Sequence, residues 1–116
     1  MTDDQYVELL RAIREHSGLE LNAIRDAGTH GADGGFAGFT YTTDGADFYR
    51  ANRNTIDEML QEHAEAFDLN VAQFVAQFSR ADMCDTDDGR ACLLAWYALE
   101  AVGRRLADRQ YERTGA

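Results

Sequence analysis

Apolar side chains recur along most of this chain at the three- and four-residue spacing that lines one side of a helix. Asp3 and Asp4 can open a first helix, where their carboxylates meet the positive end of the dipole, and Tyr6, Val7, Leu10 and Ile13 form its apolar side. Ser17 followed by Glu20 has the spacing of a capping box and predicts a short second helix that carries Leu21 and Ile24 inward. The clearest helical stretch is Ile56, Met59, Leu60, Ala64 and Phe67, whose intervals predict a single buried stripe. Asn70 with Gln73 predicts a capped helix directing Val71, Phe74, Val75 and Phe78 to the core. From Arg90 to Tyr111 runs the most hydrophobic segment, with Cys92, Leu93, Trp96, Leu99, Val102 and Leu106 apolar on one side and Leu94 and Ala98 on another. A helix apolar on more than one face is a central one.

Three stretches break this pattern. Residues 28–35 hold four glycines and read as a loop or tight turn. Residues 36–43 are the only strand-like region, with Phe39, Tyr41 and Thr43 alternating with Thr40 and Thr42. One strand cannot stand alone, so it needs a partner strand. Asp44 then caps a helix expected from about Ala46, with Phe48 and Tyr49 as its apolar residues. Residues 82–89 form an acidic turn before the last helix. With no proline, internal repeat or linker, residues 1–116 read as a single domain of the mainly α class. Its expected form is a compact helical domain of four to six helices with one small β-hairpin or strand pair.

The apolar content of 45% is too high for a disordered chain, and no apolar run approaches the ~20 residues of a membrane span. The acidic start Thr2, Asp3, Asp4 is the opposite of a signal peptide's and points to a cytoplasmic protein. Cys84 and Cys92 are then expected reduced, Cys92 as a small core residue.

No catalytic or metal-binding constellation stands out. His16, His30 and His63 are scattered and share no ligand spacing with each other or with a cysteine. Ser17 and Ser79, the only serines, sit at helix ends. A calcium loop with Gly89 as its sixth residue fails: Asp88 fits the fifth position, but Cys84, Thr86 and Ala95 stand at the first, third and twelfth, where ligands belong. The glycine-rich stretch lacks the spacing, the preceding strand and the lysine of a phosphate loop. A cofactor-free protein that is not an enzyme is the resulting expectation.

Charge changes the picture. Twenty-one acids face eleven bases, all arginine, for a net charge of −10. Such a chain does not bind nucleic acid or an anionic membrane directly, because phosphates need cationic partners. It suits a basic protein surface. The acidity is also concentrated: residues 54–89 hold nine acids and one arginine, residues 100–116 three acids and four arginines. Glu58, Glu62 and Glu65 stack along one helix face with Asp57 beside them, no arginine four residues away in the helix relieving the row. Asp68, Asp82, Asp85, Asp87 and Asp88 continue it. These nine carboxylates are the candidate partner-binding residues, a row that imitates a nucleic-acid backbone. The competing reading is a solvated face that keeps the protein soluble or adapts it to high salt. A second candidate surface is the aromatic cluster Phe36, Phe39, Tyr41, Phe48 and Tyr49, which would serve a small homodimeric interaction module; monomer and homodimer both stay open.

The run GGFAGFTYTTDGADFYRAN at residues 34–52, followed by Ile56 to Leu60, resembles a motif in a family of small uncharacterised bacterial, plasmid and phage proteins: glycines, aromatics, a strand ending in Thr-Asp, then a helix opening on an aromatic pair. AWYALE at 95–100 is similar to the same family's apolar helix, and the likeness is chiefly to residues 34–67 and 91–102. The resemblance implies a mobile-genetic-element context, in which small acidic proteins inhibit host defence, anti-CRISPR and anti-restriction proteins among them. The expected function is then a non-enzymatic acidic inhibitor that blocks a nucleic-acid-binding surface of a host-defence complex.

Overall fold

The computed structural model describes residues 1–30, 43–78 and 87–114. They form α1 (Asp3–Ser17), α2 (Leu21–His30), α3 (Thr43–Ala51), α4 (Arg53–Ala66), α5 (Val71–Phe78) and α6 (Asp87–Thr114). The fold is mainly helical, and there is no strand among the described residues. Residues 36–42 of the expected strand pair lie outside them, and Thr43 opens α3 instead of closing a strand. Asp44 consequently sits in the first turn of α3, favoured by the dipole, rather than capping a helix that starts at Ala46. The loop expected from Gly28 is displaced too, since α2 continues through His30; residues 31–35 lie outside the described residues.

The helix ends follow from local hydrogen bonding. Thr2 caps α1 in a reciprocal box with Gln5, a signal masked in the sequence by the two aspartates that follow Thr2. Ser17 does not start α2. It ends α1, where its hydroxyl donates to the Ile13 carbonyl and accepts from the Leu19 amide at 3.1 Å, and Gly18 turns the chain at φ 71°. Asn70 and Gln73 form the expected box: the Gln73 amide donates to Asn70 Oδ1 at 2.8 Å, and the Asn70 amide donates to Gln73 Oε1 at 3.0 Å. Between them α4 closes in a Schellman turn. The Leu69 amide reaches back to the Ala64 carbonyl and the Asp68 amide to that of Glu65, with Asp68 left-handed at φ 61°.

The 28 residues of α6 span about 42 Å, close to the molecule's longest dimension of 43 Å. Its middle is buried on two sides, Leu93 on one and Ala91, Leu94, Ala95, Ala98, Leu99 and Val102 on the other, as a central helix requires. The most extensive helix pairing is α2 on α6, where Ala27, Ala95 and Ala98 at 0% exposure let the backbones come close; α3 packs beside it, and α1 lies across α3 and α6. The buried side of α1 is Tyr6, Leu9, Ala12 and Ile13. Val7, expected inside, is 58% exposed, and Leu10 is half-buried. Leu21 is likewise at the surface, while Ile24 is buried.

Candidate functional site

Phe48 and Tyr49 are core residues, at 0% and 9% exposure, so they supply no aromatic contact patch; Phe36, Phe39 and Tyr41 lie outside the described residues. Tyr49 is anchored through its hydroxyl, which donates to Asp57 at 2.8 Å; burial and the neighbouring carboxylate push the phenol up to about 12. Cys92 is a buried thiol, its pKa pushed up chiefly by burial, and Cys84 lies outside the described residues.

The acidic face is carried by α4. At about 100° per residue, Asp57, Gln61, Glu65, Glu58 and Glu62 fall within an arc of about 140°, opposite the buried Ile56, Met59, Leu60 and Ala64. Glu58, Glu62, Glu65 and Asp68 are exposed and Asp57 is half-exposed. Asn54, Asp57, Glu58, Gln61 and Glu62 line a shallow depression along this face. Phe67, expected as the last member of the buried stripe, is 69% exposed because the chain has already left the helix there; its ring stacks on Phe74 at 6.0 Å.

The row is tethered at one edge by α1. The Met1 amine stands 3.6 Å from Glu62, Gln5 Nε2 donates to Glu58 at 3.3 Å, and the Thr55 hydroxyl donates to Glu8 at 3.1 Å. Steps forward along α1 match equal steps back along α4, so the two helices run antiparallel with long polar side chains bridging them. Glu8 thereby joins the α4 carboxylates in one acidic strip. The row is not wholly unrelieved: Arg53, four residues before Asp57, pairs with it at 3.6 Å, and Gln61 donates to Glu65 at 2.9 Å. Of the remaining predicted residues, Asp87 and Asp88 occupy the first turn of α6, with Asp88 paired to Arg50. Asp82 and Asp85 lie outside the described residues.

Two arginines of α6 are engaged elsewhere, on α1. Arg105 and Arg109 both close on Asp3, the former at 2.6 Å, and their guanidinium groups sit over the Tyr6 ring at 6.0 and 4.9 Å. Their hydrogen bonds hold the Asp3 carboxyl below its usual range.

Beneath the α4 face lies an aromatic cluster that no sequence motif announced. His63 Nδ1 is hydrogen-bonded to the Tyr97 hydroxyl, and both rings meet Phe74 edge-on at 6.5 and 5.9 Å. Burial and the nearby Met1 amine lower the His63 pKa, against an opposing pull from Glu62, and burial raises that of Tyr97. These are packed, mutually satisfied groups. Among the described residues no three His, Cys, Asp or Glu side chains group as metal ligands, and no helix is long and apolar enough to cross a membrane.

A family model described as a domain of unknown function, DUF7222, matches residues 8–113. No curated protein and no solved structure matches the chain.

Proposed function

This chain belongs to that family, and we propose that it is a non-enzymatic binding protein of mobile-element origin whose α4 face docks on a cationic protein surface and keeps nucleic acid off it. The observation that supports the reading is the exposed carboxylate strip of Glu8, Asp57, Glu58, Glu62 and Glu65, with Arg53 and the Met1 amine as the cations paired to it. Glu58, Glu62 and Glu65 follow one another at about 6 and 4.5 Å along the helix axis, the same order as the roughly 3.4 Å between successive charges along a nucleic-acid strand. A groove that binds DNA or RNA is lined with arginine and lysine, and a rigid row of carboxylates competes for those groups. Competition of this kind needs no cofactor. The partner class implied by the resemblance over residues 34–67 and 91–102 is a host-defence complex, such as a CRISPR effector.

The test is capture of a CRISPR effector complex from bacterial lysate, at low and high salt and with added DNA. The expected result is recovery at low salt that salt or DNA abolishes, since exposed charges are screened beyond about 8–10 Å at physiological ionic strength. The triple variant Glu58→Arg, Glu62→Arg, Glu65→Arg should lose recovery while its helical circular dichroism is unchanged. Capture undiminished in the folded triple variant refutes the reading.

A further inference from the structure

The side of α1 turned away from the core carries a groove that no described contact fills. Its floor is apolar: Leu10 and Leu19 are half-buried, and Val7 is 58% exposed. Its rim is charged, by Arg11, Arg14, Glu15 and Glu20, all exposed and none in an ion pair with a described residue. Elsewhere on α1, by contrast, Asp3 and Glu8 are engaged by Arg105, Arg109 and Thr55.

Two arginines against two glutamates make this face neutral in a chain of net charge −10. A second copy, itself strongly acidic, is repelled from the α4 strip but meets no net repulsion here. The pattern is also self-complementary. Arg11 precedes Glu15 by one turn, the weaker order for a pair within one helix, and the two are not paired there. When two α1 helices are set antiparallel about a two-fold axis level with Ile13, Arg11 of each faces Glu15 of the other. Arg14, next to the axis, borders both glutamates, and Val7 of each copy reaches Leu19 of the other. We propose that this groove is a homodimer face, occupied by the same groove of a second copy. Such a contact uses one patch twice, as an isologous interface does. One helix width is at the small end of specific interfaces, so the dimer is a weak one. It uses none of the α4 carboxylates and stands independently of the function proposed above.

Sedimentation velocity on the full chain, from micromolar to millimolar concentration, tests this. The expected result is a concentration-dependent monomer–dimer equilibrium. Arg11→Glu and Glu15→Arg, each placing like charges opposite one another twice, should each weaken association by roughly tenfold or more. The double variant Arg11→Glu/Glu15→Arg restores the pairing and should return the affinity towards that of the parent chain. Both substituted positions are at the surface, and circular dichroism checks that each variant is folded. A monomer at every concentration overturns the proposal. So does a dimer that the single reversals leave unchanged, or a double variant no better than the singles.

Discussion

Replacing Phe48 by alanine separates a core role for the residue 48–49 aromatics from a surface role. Among the described residues Phe48 is the bulkiest wholly buried side chain, at 0% exposure, and His16 of α1 meets its ring edge-on at 5.9 Å. A phenylalanine buries roughly 150–250 Å², worth about 4–6 kcal/mol at about 25 cal/mol per Å². The alanine Cβ keeps part of that, and the remaining cavity adds a cost, so the expected loss is about 3–5 kcal/mol. Against a total stability of about 5–15 kcal/mol, this is about a fifth or more of the whole. The melting temperature should fall by at least about 12 °C. Urea unfolding followed by circular dichroism and by Trp96 fluorescence measures it, with coincident transitions establishing two-state behaviour. Phe48→Leu should cost less than half as much. A loss below about 1 kcal/mol for Phe48→Ala, with an unchanged urea slope, would put the ring at the surface. The aromatic-patch reading of this region would then return.

Three further outcomes follow from the helix ends and the half-buried histidine. Because His63 has its pKa lowered by folding, its contribution to stability is fully present above the ordinary value of 6.5 and is lost as pH falls through the folded value. The parent chain should therefore lose stability between pH 7 and pH 5 by a fraction of about 1.4 kcal/mol per pH unit, the fraction set by solvent screening of a half-buried ring. His63→Gln should flatten that dependence in urea titrations, and an equal slope in the two proteins refutes the assignment. Asp68, left-handed at the end of α4, should tolerate Asp68→Gly with unchanged or slightly raised stability, whereas Asp68→Val should cost about 1–2 kcal/mol; equal melting temperatures would refute the strained turn. Asp3→Asn should release Arg105 and Arg109 and speed amide hydrogen exchange at the α6 end facing α1, most visibly at low salt, with unaltered exchange as the refuting result.

How much of the fold was legible depended on whether one apolar arc stood alone. In α4 it did, and Ile56, Met59, Leu60 and Ala64 are all buried. In α1 the residues at 6, 7, 9, 10, 12 and 13 are all apolar, which makes two adjacent arcs of equal merit. Local pattern cannot choose between them. The choice falls to α3 and α6, which accept the arc of Tyr6, Leu9 and Ile13 and leave Val7 outside. Capping shows the same division. Asn70 with Gln73 has one interpretation, but Ser17 with Glu20 competes with the glycine between them, and Gly18 at φ 71° ends α1 and makes Ser17 its last residue. The Ser17 side chain is spent on that ending, so the box motif goes unused.

The candidate site was legible as charge and not as surface. Sequence counts carboxylates; it does not say which of them folding neutralises. In the sequence Asp57 belongs to a bare row, yet in the fold it accepts from Tyr49 and pairs with Arg53. Asp88 continues the same row in the sequence, yet Arg50 holds it at the start of α6. Both outcomes depend on α3, which contributes Tyr49 and Arg50 and is placed by the burial of Phe48 beside them. The core therefore shapes the charged face: the helix that hides the aromatic ring also delivers the two groups that quench Asp57 and Asp88. What is left uncovered by arginine is Glu58, Glu62 and Glu65, and Glu8 lies beside them on α1. If the strip were only a solvating coat, its detailed spacing would not matter, and moving one glutamate around the helix at constant net charge would change no interaction. A contact surface requires the opposite. Exchanging Glu62 with Gln61 keeps the net charge and shifts one carboxylate by about 100°. Loss of partner capture in that exchange, with the fold intact, separates a recognised pattern from mere acidity.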